Sequence, residues 1–183
     1  MIFVVCMSLA ASAAAAQEAV SGADLLKHLT GTWKAAEDRT PKNSALDEQV
    51  FGPGAAEVRT VTLVVWASGD ADLQIRRSVV GSKGRVFAPS VTDVKMQIGE
   101  PVTLEFGHVK PTVTVKSAEE RYLDGDHERW PREGSRVAIS VADLTSREIN
   151  IQFDTPDGRG AFGTTLKSSP TKPSPTSAGK SPR

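Results

Sequence analysis

Apolar residues recur at every second position along most of this chain, and that period constrains its fold more than any other feature. From Arg59 to Trp66, Val61, Leu63 and Val65 alternate with Thr60 and Thr62. The same period runs through Leu73 and Ile75; Val94, Met96 and Ile98; Val102, Leu104 and Phe106; and Val113 and Val115. It returns in Val137, Ile139 and Val141, in Ile149, Ile151 and Phe153, and in Phe162, Thr164 and Leu166. A period of two gives a strand one apolar face, whereas a helix needs apolar residues three and four apart. Turn chemistry separates the runs at Ser68-Gly69-Asp70, Gly81 to Gly84, Gly99-Glu100-Pro101 and Pro156-Asp157-Gly158. Roughly eight or nine strands with short links predict an antiparallel meander. Each strand has a single apolar face, so all of them share one core. The expected architecture is all-β: a closed barrel, with a β-sandwich as the alternative.

Other stretches interrupt the alternation. Ser21-Gly22-Ala23-Asp24 has capping-box spacing, and Leu25, Leu26 and Leu29 follow on one face of a short helix. Two turns do not hold themselves together in water, so these leucines must pack on the strands. Gly31 is the expected C-cap. Ala35 to Glu57, with Pro41 and Pro53, reads as a long loop. Tyr122 to Gly134, charged and carrying Trp130, reads as a second.

The ends of the chain differ from its middle. Ile2 to Leu9 is apolar and passes into small residues ending at Ala14-Ala15-Ala16. That is the pattern of a secretory signal peptide, too short for a transmembrane helix. It predicts export of a chain with no membrane span, to the periplasm or outside the cell. The one cysteine, Cys6, lies inside this segment, so the exported chain has neither a disulfide framework nor a cysteine-based zinc site. Residues 17–167 then form a single β domain. Residues 168–183, almost all Ser, Pro, Thr and Lys, are expected to be a disordered tail. Lysine plus arginine and aspartate plus glutamate both number 22, and this balance argues against a nucleic-acid partner.

A short helix running into Gly31-Thr32-Trp33, then a long loop and a series of antiparallel strands, resembles the lipocalin-like (calycin-type) β-barrels. The resemblance implies structural roles for two residues: Trp33 plugs the floor of the barrel, and Gly31 allows close approach there. It also implies an interior with room for one ligand. The expected function is an exported, non-catalytic binding protein for a small apolar or amphipathic ligand. The alternative is a protein-interaction module of the cell envelope that recognises a partner through loops or a strand edge.

Three residues are candidate ligand contacts: Arg77, Tyr122 and Arg159. Alternation places Arg77 on the same face as Leu73, Ile75 and Val79, where a guanidinium suits a ligand carboxylate. A bulge at Arg76-Arg77, or a rim position, is the commoner outcome for such a pair. Arg159 follows the rigid turn Pro156-Asp157-Gly158, and Tyr122 opens the second long loop. Asp124, Asp126 and Glu128 alternate as calcium ligands do, but no glutamate closes the loop, and solvated acids are the expected reading. Glu119 or Glu120 with Asp154 or Asp157 could supply the carboxylate pair of a glycoside hydrolase, but nothing in the sequence fixes their separation, and acids at strand ends are the expected reading. His28, His108 and His127 lack metal-ligand spacing. No nucleophile elbow, P-loop or dinucleotide fingerprint occurs, so no catalytic residue, metal or cofactor is assigned.

Overall fold

The computed structural model describes residues 20–103, 109–124, 129–158 and 160–169. The signal-like segment 1–16, the tail from 170, Leu104, Phe106, His108, Asp126, His127, Glu128 and Arg159 lie outside the described residues. The predicted helix is α1, Gly22–Leu29. The Ser21 hydroxyl accepts from the Asp24 amide at 3.1 Å and donates to the Asp24 carboxylate at 2.6 Å. Lys27 and His28 sit in the last turn, where the helix dipole favours positive charge. Thr30, and not Gly31, caps the helix, its amide bonding the Leu26 carbonyl. Gly31 instead opens β1 (Gly31–Lys34) with φ of +132°, a backbone few other residues adopt. A Cβ there would meet nothing within 4 Å, so conformation and not close approach calls for glycine.

The remaining elements are β2 (Asp38–Pro41), α2 (Ala45–Phe51), β3 (Ala56–Val65), β4 (Asp70–Val80), β5 (Val86–Thr103), β6 (Val109–Tyr122), β7 (Arg129–Pro131), β8 (Arg136–Ser140), β9 (Glu148–Asp154) and β10 (Phe162–Ser168). Among the described residues, ten antiparallel strands form one sheet in the order β7-β6-β5-β4-β3-β1-β10-β9-β8, with β2 also on β3. Three readings of the sequence need correction. Ala35 to Glu57 is not a plain loop, because it carries both β2 and α2. Ser44 caps α2 through Asp47 just as Ser21 caps α1 through Asp24, so the spacing was there to be read. Gly99-Glu100-Pro101 is not a turn. It lies within the single long strand β5, where a register shift between Ile98 and Pro101 absorbs the proline. The stretch from Tyr122 to Gly134 contains β7.

The sheet is not closed into a barrel, which corrects the favoured architecture; the described strands form one continuous sheet. Among the described residues its two arms share one isolated backbone bridge, Val109 with Val141, where each amide bonds the other carbonyl at 3.0 and 2.9 Å. In an antiparallel ladder the next such pair is two residues along, at Pro111 of β6. Pro111 has no amide hydrogen to give, so that pair lacks one of its two ladder bonds. Proline on a strand margin also discourages pairing by foreign strands.

Side chains fill the interior. Val61, Leu63 and Val65 of β3, Leu73 and Ile75 of β4, Val94 and Met96 of β5, Ile139 of β8, Ile149 and Ile151 of β9 and Leu166 of β10 are all buried in one cluster. Leu25 and Leu29 of α1 close one end of it. Beneath them Trp33 is 3% exposed and donates its indole N–H to the Leu29 carbonyl at 2.7 Å. Trp33 is thus buried under α1, within a sheet that is not closed into a barrel.

Candidate functional site

At the end of the sheet away from α1, the same inward face changes from apolar to charged. Register shows this row by row. Leu63, Leu73, Val94 and Ala118 lie side by side on β3 to β6; the next inward row is Val61, Ile75, Thr92 and Glu120. The last is Arg59, Arg77, Ser90 and Tyr122, with Glu57 one step further along β3. Arg77 therefore keeps its inward orientation. The irregularity between β4 and β5 falls after it, between Arg77 and Val79, and not at Arg76-Arg77.

Glu57 is the centre of one ion-pair cluster. Its carboxylate lies 3.3 Å from the Lys42 amine, 3.1 Å from Arg59 and 3.2 Å from Arg77. The Arg59 guanidinium also lies 4.9 Å from the centre of the Phe162 ring, which supports it from β10. Burial pushes the Glu57 carboxyl up, but hydrogen bonds and charge from Arg77, Arg59 and Lys42 outweigh it and hold the group below its ordinary value of 4.5. A lowered folded pKa contributes stability that is present above the unfolded value and lost as pH falls through the folded one. Glu57→Gln should therefore flatten the acid side of the stability profile below about pH 4.5, measured by urea titration at stepped pH. Identical acid limbs for the variant and the parent chain would contradict this role.

A second cluster adjoins the first. The Glu120 carboxylate, 5% exposed, receives two bonds from Arg132, one from Nε at 3.0 Å and one from Nη2. Arg132 Nη1 reaches Asp157 at 3.3 Å. Its hydrogen bond to Glu120, partly opposed by burial and helped by the charge of Asp157, raises the guanidinium above its ordinary pKa. Between the clusters is a cleft of about 140 Å³ lined by Glu57, Arg77, Ser90, Glu120 and Tyr122, with Val79 and Ala88 at its side.

Two of the three candidate ligand contacts, Arg77 and Tyr122, thus meet in this cleft, while Arg159 lies outside the described residues. Gly31 and Trp33 belong to the opposite, plugged end. Of the carboxylate pairings, Glu120 and Asp157 converge on the same arginine, which engages both in ion pairs. Glu57, Arg59 and Arg132 were missed as site residues. Parity could have found Glu57 and Arg59, which share the odd-numbered face of Val61, Leu63 and Val65. Arg132 follows β7, within the stretch taken as a loop, and no pattern pointed to it.

Around this end lies exposed apolar surface. α2 has no buried residue, and it presents Leu46 and Val50, 69% and 54% exposed, one turn apart. It is attached through Phe51, whose ring meets Phe87 of β5 edge-on at 5.2 Å. Val86 next to Phe87, then Tyr122 and Leu123 beside Ser90 and Pro89, and Trp130 beside Glu120 are all exposed as well. No family model, curated relative or solved structure matches this chain. Among the described residues no helix is long and apolar enough to cross a membrane.

Proposed function

We propose that the chain is an exported, non-catalytic binding module that docks a partner protein on the end formed by α2, the β4–β5 hairpin and the end of β6. The observation that carries this reading is α2 itself. A helix of seven residues gains little from its own hydrogen bonds, yet it turns Leu46 and Val50 to solvent and packs only half-buried Phe51 on the sheet. Apolar surface of this kind is a mark of protein docking sites. Exposed Tyr122 at the end of β6 and Trp130 of β7 are of the types that anchor interfaces. The filled core supports a binding surface on the outside of the sheet, and the segment Met1–Ala16 supports export. Pro111 disfavours the strand edge of β6 as the contact and leaves the helix and loops.

One observation favours a second reading, an amphipathic small ligand: Arg77 and Tyr122 share a cleft. At about 140 Å³ it is smaller than ordinary ligand pockets, so it suits a polar head with the apolar part along Val79 and Tyr122. The lipocalin-like relationship is supported by the N-terminal helix and the place of Trp33 beneath it. A photo-crosslinking residue at Val50, introduced in the native host, tests the docking reading. It should give one discrete protein adduct that Leu46→Asp abolishes. The absence of an adduct, or the same adduct from a crosslinker at exposed Thr114, would contradict it.

A further inference from the structure

The outward face of β3 to β7 holds a groove of about 520 Å³ that neither the docking end nor the ion-pair clusters use. We infer that this groove binds a neutral oligosaccharide, with Trp66 as the stacking platform. Trp66 is 45% exposed and follows the end of β3. Its backbone is fixed in the β3–β4 turn, where its amide bonds Asp70 and its carbonyl accepts from Gly69, each at 2.9 Å. An indole held in the open by an ordered turn is a flat apolar plate, the partner the C–H face of a pyranose ring needs. Half-buried Val64 and Thr62 continue the apolar floor beside it.

Further along the groove the floor becomes planar and polar. Gln74, Asp93 and Glu119 stand in one outward row across β4, β5 and β6. Gln74 Nε2 donates to Asp93 at 3.0 Å, Arg76 Nε donates to Gln74 Oε1 at 2.9 Å, and Arg129 donates to Glu119 at 3.1 Å. These bonds hold the amide and carboxylate planes in place while leaving each with capacity for further bonds. Fixed planar groups with paired donor and acceptor sites match adjacent sugar hydroxyls. The lining charges, three carboxylates (Asp72, Asp93, Glu119) against two cations (Lys95, Arg129), nearly balance, which suits an uncharged ligand and disfavours phosphate or nucleic acid. Five strands at the usual spacing cover about 19 Å, enough for several rings laid end to end.

Calorimetric titration of the full chain with the neutral hexasaccharides of glucose, xylose, mannose and N-acetylglucosamine tests the inference. At least one should bind with a dissociation constant in the millimolar range or below, and Trp66→Ala and Gln74→Ala should each weaken it by about tenfold or more. Both variants should keep the parent melting temperature, because neither side chain is part of the core. Leu46→Asp on α2 should leave sugar binding unchanged, which separates this site from the docking end. No binding by any of the four, binding only of anionic polysaccharides, or equal binding by Trp66→Ala would overturn the inference.

Discussion

Arg132→Ala should cost about 3 kcal/mol of folding stability, one of the two largest effects expected of any single substitution here. Glu120 lies on the inward face and is 5% exposed, so removing its partner leaves a largely buried carboxylate without the guanidinium that engages it. Breaking one side of a buried pair costs about 3–5 kcal/mol, and the lower figure applies because Arg132 itself is 25% exposed. The arginine also ties Asp157 in the β9–β10 turn to Glu120 on β6, so its loss loosens the contact between the two arms of the sheet at this end. Adding Glu120→Leu to Arg132→Ala should recover much of the loss, since the stranded charge is then gone. Urea denaturation of the single and double variants measures both effects. A single-variant loss under about 1 kcal/mol, as exposed pairs give, would mean the cluster is solvated and not a closed end to the core.

Trp33→Ala should cost about 3–5 kcal/mol, the usual range for truncating a buried large aromatic. The indole is 3% exposed, packs beneath Leu25 and Leu29, and donates to the carbonyl that ends α1. Its removal opens a cavity and frees the helix that covers it. A melting-temperature drop on the order of 10 °C follows for a domain of this size. Thermal denaturation followed by circular dichroism makes the comparison. An unshifted melt would place Trp33 at the surface and remove the apolar floor from this account.

The alternating runs announced most of the sheet, because period two is a local property that strands cannot hide. The Ser-x-x-Asp cap announced α1 for the same reason. Closure was not legible. It depends on pairing between β6 and β8, a contact between segments far apart in the chain, where Pro111 withholds one ladder hydrogen. Gly99-Glu100-Pro101 misled because turn residues also occur at bulges, and only the partner strand β6 shows which of the two it is. In the candidate site, Arg77 could be placed inward by parity, and Tyr122 was chosen as a loop residue although it ends a strand. The ion-pair clusters were hidden because each joins residues from different strands: Lys42 to Glu57 and Arg77, and Glu120 to Arg132 and Asp157. α2 was overlooked for a different reason. Its apolar residues, Leu46, Val50 and Phe51, are too few over seven residues to mark a helix by period, and only the Ser44–Asp47 cap spacing signals it.

The proposed binding takes place on the outer surfaces of a sheet whose interior is filled by side chains. Native mass spectrometry of the protein purified from its own host tests this most directly, followed by denaturing extraction of whatever it carries. The account predicts the mass of the bare chain, alone or with a protein partner, and no stoichiometric small molecule released on unfolding. A lipid or pigment bound one to one through purification and released only when the chain unfolds would contradict it.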